Sequence, residues 1–494
     1  MKRTIRQALC ALLAIVLIAA SLIIPASATD EPAEAAVEVK GYQFSLADGK
    51  TKIRFIAGLA SDSYTDFGMI IKCVDEYSIP SRFDIKGAAK LDEIKQTKNG
   101  TQTSISAEEL RSEALYTAVI EGIPADATYF RFEITPYCTV NGETVNGAKK
   151  IIVMDANGVT TLTEYQLADN KDRLKIYGRS IELLTGIACD FSASGIEFNA
   201  DLRGGDLMLR VDSAGVSYYT LYINGVRQDQ RLEFADGIRD YVIAEDLAAG
   251  EYNVKLIKQT QAEHSVSTLI SLSMNGSFMA RPADKELLIE FIGDSITCGY
   301  GLVGYPTEGV TNYGGAKFMD ATLAYAYKTA EALGADHSLV SLSGWAILPN
   351  ANGGGCIPAI YQKTSYKRSN IEYEPERAAD IVVIHLGTND LYSRKENYDD
   401  FVPESKKFIA DVKEMHPGAK IIWVYGSMMS GSNLSKFENT VHSIINDLGG
   451  EAAGLYSVKV PQSSSGTNNS HPTPEAQARS AEILAEFIRN NVLD

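Results

Sequence analysis

The apolar and polar positions fall into three successive patterns along the chain. Between residues 37 and 158, "KIRFIAGLA", "FGMIIKCV" and "TYFRFEITPYCTV" alternate or run apolar over strand lengths. Asn141-Gly142 follows the third and predicts a two-residue hairpin turn. The expectation is a β-sandwich over 37–158. Residues 159–171 are polar and aperiodic and read as a linker. Residues 172–283 read as all-β again, with "GIEFNADL", "DLMLRVDS", "YYTLYINGVRQD" and "GEYNVKLIKQ" as strands and Asn224-Gly225 as a second hairpin turn. Two sheets packed face to face, jelly-roll-like, suit such a run.

From residue 285 the period changes. "ELLIEFIG", "SLVSLSG", "DIVVIHLG" and "KIIWVYGS" are short apolar strands, and helical stretches separate them at Thr322–Leu333, Pro403–Met415 and Leu434–Leu448. Gly334 and Gly449 stand where helix C-caps belong. Strands alternating with helices predict an α/β domain over 285–494, a parallel sheet covered on both faces. Ligands of such sheets bind beyond the carboxyl ends of the strands. The fold class is therefore α/β, preceded by two β-sandwich domains.

Composition changes the picture at the N-terminus. Lys2, Arg3 and Arg6 precede an almost purely apolar run at 8–25, and Ala26-Ser27-Ala28 is a small-x-small site. Residues 1–28 read as a signal peptide cleaved after Ala28, with an uncleaved anchor as the alternative, and export is expected. The segment holds three basic and no acidic residues, so its removal takes the formal charge from −17 to −20. That charge argues against nucleic acid as a partner and for a neutral substrate. No other stretch is long and apolar enough to span a bilayer. The remaining cysteines, Cys73, Cys138, Cys189, Cys298 and Cys356, are odd in number, scattered and without C-x-x-C, which is neither a disulfide framework nor a zinc signature. At most one or two bridges are expected.

The residues just past the strand ends carry the candidate chemistry. "GDSITCGYG" places Ser295 at a strand-to-helix turn, "SGW" places Gly344 after the second strand, and "GTND" places Asn389 after the third. His471 sits in "SGTNNSHPTPEAQ", before a helix that Thr473 caps with Pro474 at its first position. A serine hydroxyl needs a base within hydrogen-bond reach to become a nucleophile. The oxyanion of a tetrahedral intermediate needs fixed N–H donors, here the backbone N–H of Ser295 and of Gly344 and the amide of Asn389. This set suits acyl transfer, with Ser295 and His471 catalytic. Asp294 reads as a turn cap, Cys298 as packing and His385 as a core residue in a strand. His264, His337, His416 and His442 read as surface or helix positions. No histidine pairs at ligand spacing, so no metal and no cofactor is expected.

These blocks resemble the SGNH (GDSL-type) hydrolases, whose four named residues would be Ser295, Gly344, Asn389 and His471. A strand-rich domain opening "DRLKIYGRS" joined to "IEFIGDSITCGYG" further resembles carbohydrate esterase family two, over residues 172–494. That resemblance implies a secreted enzyme that removes acetyl groups from plant polysaccharides such as xylan and glucomannan. It also implies a Ser-His dyad in which a backbone carbonyl orients the histidine. The common SGNH aspartate three residues before the histidine is Asn468 here. The partner of His471 Nδ1 is thus expected to be a carbonyl oxygen of the 465–470 loop or its neighbours. Where that family commonly has S-G-K-G after the second strand, this chain has "SGWAI". Trp345, Tyr300 and Tyr313 are the candidates for contact with a sugar, Trp345 by stacking. The 37–158 module loosely resembles small Ig-like modules of secreted polysaccharide enzymes. An acetylated polysaccharide or oligosaccharide is the expected partner, with no nucleic acid, no membrane after cleavage, and a monomeric chain. The alternatives are a lipase, lysophospholipase or thioesterase of the same fold, and a non-catalytic glycan-binding protein.

Overall fold

The computed structural model describes residues 36–493 except 48–49, 62, 74–82, 87–100, 104–113, 125–129, 156–157, 305–312, 350–354, 368–370, 394–397 and 464–470. The expected signal peptide and cleavage site therefore lie outside the described residues. The chain divides into two compact units, one of residues 1–127 and 133–149, the other of residues 128–132 and 150–494.

Every described element of the first unit is a strand. Val37–Ala47, Lys50–Leu59 and Leu115–Pro124 form an antiparallel sheet with Thr101–Thr103 at its edge. Ile53, Phe55, Ala57, Tyr116 and Ala118 are buried between strand neighbours. The Asn141-Gly142 turn forms as expected, with both residues at positive φ (51° and 86°) and Val140 facing Glu143.

The strand-rich part of the second unit is built on two long strands, Gly195–Ala214 and Gly237–Lys258, antiparallel over nearly their whole lengths. Val266–Met274 pairs along the first and Ser217–Ile223 along the second, where Asn224-Gly225 makes the second expected hairpin. The stretch expected as a linker is different in kind. Gly158–Gln166 is a strand that pairs with Lys150–Asp155 on one side and Val266–Met274 on the other. "GVTTLTEYQ" looks polar because its threonines are, yet β-branched residues favour a pleated strand, and Leu162 is fully buried. Lys150–Asp155, expected within the first module, belongs to the second unit with it.

The α/β part holds a five-stranded parallel sheet. Its strands are β1 (Leu288–Gly293), β2 (Asp336–Ser341), β3 (Ile381–His385), β4 (Lys420–Tyr425) and β5 (Leu455–Lys459), in the order β2-β1-β3-β4-β5. Its helices are α1 (Tyr325–Leu333), α2 (Ile357–Tyr361), α3 (Thr388–Ser393), α4 (Phe401–Met415), α5 (Gly431–Asp447) and α6 (Pro474–Asn491). Alternation along the strands sends Ile292, Ile384 and Trp423 to a face covered by Phe408, Phe437 and Val441 of α4 and α5. Phe291, Val383 and Val424 go to the other face, under Tyr325 of α1 and Leu484 of α6. Each such side chain contributes about 1.5–3 kcal/mol by leaving water. β5 was not expected: "LYSVK" is short, and only two of its residues are buried. Gly334 closes α1 at φ 64°, and Gly449 follows α5 at φ 100°.

A buried ionic cluster joins the strand-rich and α/β parts of this unit. Arg179, fully buried, donates to both carboxylate oxygens of Glu290 on β1 at 3.2 and 3.4 Å. Tyr361 Oη (2.8 Å) and His416 Nε2 (3.1 Å) also reach Glu290. Because His416 Nδ1 accepts from the Ala379 N–H, its proton sits on Nε2 and points at the carboxylate. Burial pushes the Glu290 carboxyl up, but Arg179, His416 and Tyr361 outweigh it and hold it down at about 2. His416 and His337 are therefore buried rather than surface positions. His337 stacks on Tyr177 at 4.8 Å and bonds the Ala193 carbonyl. Cys138, Cys189, Cys298 and Cys356 are free thiols.

Candidate active site

Four loops meet beyond the carboxyl ends of the parallel strands. The first follows β1. There the Asp294 carbonyl accepts from Thr297 and Cys298 and the Ser295 carbonyl from Tyr300, one tight turn that presents Ser295. Gly293 is required at its start: a Cβ there would lie 1.9 Å from Thr297 Oγ1. Across the cleft, α6 begins at Thr473, whose hydroxyl accepts the Ala476 N–H, and His471 stands just ahead of that cap. His471 Nε2 lies 2.8 Å from Ser295 Oγ, and both residues are buried. The pair has the geometry in which a base removes a hydroxyl proton. The Tyr300 ring stacks on the imidazole at 4.2 Å and 27°. The partner of His471 Nδ1 is expected to be a carbonyl of the 465–470 loop or its neighbours, and the 465–470 loop itself lies outside the described residues.

Gly344 follows β2 at φ 79°, a conformation that strains any side-chain-bearing residue. Asn389 opens α3 after β3. Its Nδ2 donates to the Trp345 carbonyl at 2.8 Å and to Asp294 Oδ2 at 3.2 Å, tying the three loops together. Asp294 caps its own turn, as expected, by accepting the Ile296 N–H. Burial, with the charge of Asp390 added, pushes the Asp294 carboxyl up to about 7. Asp390 in turn accepts the Ile347 and Leu348 N–H groups and fixes the chain after Trp345. Ser295, Gly344, Asn389 and His471 thus collect at one edge of the sheet.

Residues 291–483 match the GDSL-like Lipase/Acylhydrolase family model, and residues 177–282 match the Carbohydrate esterase 2 N-terminal model. The chain carries a GDSL-like lipase/acylhydrolase domain behind a carbohydrate esterase 2 N-terminal domain. It is 27% identical over 317 residues to the cellulase/esterase CelE of Acetivibrio thermocellus, covering 62% of this chain and 38% of that protein. It is 28% identical over 207 residues to the acetylxylan esterase / glucomannan deacetylase of Cellvibrio japonicus, covering 39% of this chain and 57% of that one. The match thus spans well under two thirds of either relative. A solved family two carbohydrate esterase from Clostridium thermocellum, in complex with cellohexaose, superposes with a TM-score of 0.59 at 27% identity, over 64% of this chain and 98% of that one.

Two of the expected sugar contacts are buried side chains. The Trp345 ring belongs to the core of the GDSL-like domain at 8% exposure. Tyr366 packs edge-on against it at 5.5 Å, and a Cβ on Gly355 would lie 2.3 Å from the ring, so the Gly355 backbone rests on the indole. Tyr313 is buried against Phe318 at 4.8 Å. Tyr300 is the partly exposed one of the three. Cys298 is buried, and burial holds its thiol well above the usual range, so it serves packing, as read. His385 is a core residue on β3, as read, and burial pulls its imidazole down to about 3.

Three residues of the site escaped the sequence reading. Gln477 on α6 is buried; its Oε1 accepts the Tyr325 N–H and its Nε2 donates to the Ile296 carbonyl, which seats the His471 segment against the Ser295 turn. A signal existed: Gln477 lies on the stripe with Ala481, Leu484 and Ile488, where a polar residue stands out. Gln261 and Glu263 come from the carbohydrate esterase 2 N-terminal domain. Gln261 Oε1 accepts the Ser343 N–H at 2.8 Å, and Glu263 Oε1 accepts the Trp345 indole N–H at 3.0 Å. Nothing in "QTQAEHS" marks them, since their partners are 82 residues away.

Proposed function

We propose that this protein is an exported carbohydrate esterase that removes O-acetyl groups from polysaccharides of the xylan or glucomannan type through a Ser-His dyad. The observation that carries this reading is the 2.8 Å contact between His471 Nε2 and Ser295 Oγ. It lies at the sheet edge of a domain whose named relatives include an acetylxylan esterase / glucomannan deacetylase. His471 takes the Ser295 proton as Oγ attacks the acetyl carbonyl. The tetrahedral oxyanion is held by the N–H groups of Ser295 and Gly344, and by Asn389 once its longer bond to Asp294 gives way. The raised Asp294 carboxyl favours its neutral form, the weaker acceptor, and so eases that exchange. Collapse breaks the ester C–O bond, His471 returns its proton to the sugar oxygen, and an acetyl-enzyme remains. Water, deprotonated by His471, then releases acetate and restores Ser295.

A carbonyl of the 465–470 loop or its neighbours orients His471 in this reading. A carbonyl selects the tautomer as well as a carboxylate does but stabilises the imidazolium less. Acetate esters, with a better leaving group than amides, tolerate that loss. The strand-rich domain is read as a jelly roll, and the leader as a signal peptide cleaved after Ala28.

The test compares wild type with Ser295→Ala and His471→Ala on p-nitrophenyl acetate and on acetylated xylan and glucomannan, reading acetate release. Each substitution is expected to lower kcat by about 10³-fold or more. Equal rates in wild type and Ser295→Ala would overturn the proposal, and a preference for acyl chains beyond butyrate would redirect it to lipids.

A further inference from the structure

We propose that Gln261 and Glu263 of the strand-rich domain are positioning residues for ester hydrolysis, clamping the GDSL-like domain's oxyanion loop on both sides of Gly344. The inference rests on the reading of Gly344 as an oxyanion donor.

The clamp is built from a rigid turn. Lys258 ends the long strand Gly237–Lys258 and is fully buried. Its Nζ donates to the carbonyls of Asp190 (2.8 Å), Thr260 (2.9 Å) and Ser265 (2.8 Å). Burial pulls its ammonium down to about 8, yet three acceptors need all three ammonium protons, so the charged form is the one the turn is built around. The turn at 259–265 is thereby tied at both ends and to the backbone at Asp190. From it Gln261, buried, sends one oxygen between two loops of the neighbouring domain. That oxygen accepts the Ser343 N–H at 2.8 Å and the Cys298 S–H at 3.3 Å. Cys298 belongs to the turn that presents Ser295, and its sulfur also lies 3.6 Å from the Ser295 carbonyl. Gln261 therefore spaces the Ser295 turn against the Gly344 loop. On the other side of Gly344, Glu263 Oε1 holds the Trp345 indole at 3.0 Å, and Gln261 Nε2 donates to Glu263 Oε2 at 3.3 Å.

An oxyanion hole works only if its donors are aimed where the negative charge develops, and a misplacement of about 1 Å costs on the order of 10²-fold. The Ser295 and Gly344 amides sit on separate loops, and the side chain that spaces those loops comes from another domain. The consequence is a kcat set in part by residues that touch no substrate.

The test uses the full chain and p-nitrophenyl acetate, with Ser295→Ala alongside. Gln261→Met keeps the length and removes every hydrogen bond; kcat should fall by about 10- to 100-fold with KM within about threefold. Gln261→Glu alone sets two carboxylates against each other and should also lose kcat. Gln261→Glu combined with Glu263→Gln keeps each contact, with the donor and acceptor of the side-chain pair exchanged, and keeps the net charge. This double variant should recover most of the kcat that Gln261→Glu loses. A merely structural role would move thermal stability and leave kcat of the folded enzyme in place. Wild-type kcat in Gln261→Met, or no recovery in the double variant, would overturn the clamp while Ser295→Ala still reports on the esterase reading. A wild type inert toward esters would remove both.

Discussion

At the scale of single residues, Asp294 has the most unusual environment in the site. It sits beside the nucleophile and is fully buried, and burial with the nearby Asp390 charge raises its carboxyl from 3.8 to about 7. The native protein therefore binds a proton there that the unfolded chain releases above about pH 4. The stability linked to this group is fully present below about pH 4 and is lost as pH rises from there to about 7. Asp294→Asn should remove that decline. Urea unfolding of wild type and variant at pH 5 and pH 8 should show the wild type losing on the order of a few kcal/mol more between the two. An identical pH dependence in both proteins would count against it. Glu290 titrates in a separate window, because its lowered value makes its contribution present above about 4.5 and lost toward 2. Much of this site was legible because its signals are local. "GDS" at a strand end, "GTND" after another and a histidine before Thr-Pro each mark a turn whose geometry its own residues dictate. What was not legible is which polar atom each side chain finds. The Asn389 amide meets Asp294 and the Trp345 carbonyl, contacts spanning 95 and 44 residues.

At the scale of elements, the alternation of strand and helix foretold four of the five parallel strands and the caps of α1 and α6. The missed pieces share a cause. β5 and Gly158–Gln166 are held by tertiary pairing, and their sequences carry few apolar positions to announce it. The Arg179 cluster is of the same kind. A lone arginine in "IYGRS" gives no hint that it crosses to Glu290 on β1 and places its guanidinium 4.0 Å from the Tyr373 ring centre. Removing one member of a buried pair leaves the other charge without compensation. Arg179→Met should therefore destabilise the second unit by about 3–5 kcal/mol in denaturant titration. Glu290→Gln with Arg179→Met should recover part of that loss, because the second change removes the stranded charge. A loss under about 1 kcal/mol for Arg179→Met would show the cluster to be dispensable.

At the scale of the whole molecule, every residue assigned to the site lies in the second compact unit, from residue 150 onward. A chain beginning at Lys150 should hydrolyse p-nitrophenyl acetate with a kcat within about threefold of the full protein, since it retains every residue assigned to the site. The same comparison on an acetylated polysaccharide reads what the first unit adds. A kcat on the small ester lowered tenfold or more would place part of the catalytic machinery in the first unit.

The buried pairing of Arg179 with Glu290, and the reach of Gln261 to Ser343, bear on how such a protein can be rearranged over evolutionary time. A crossover in the chain near residue 284 separates two domains by sequence but cuts through one physical object. A graft of a foreign strand-rich domain at that point leaves Glu290 charged in the interior with no guanidinium and leaves the Ser343 amide with no acceptor. The segment that can move between genes intact is the pair of domains together.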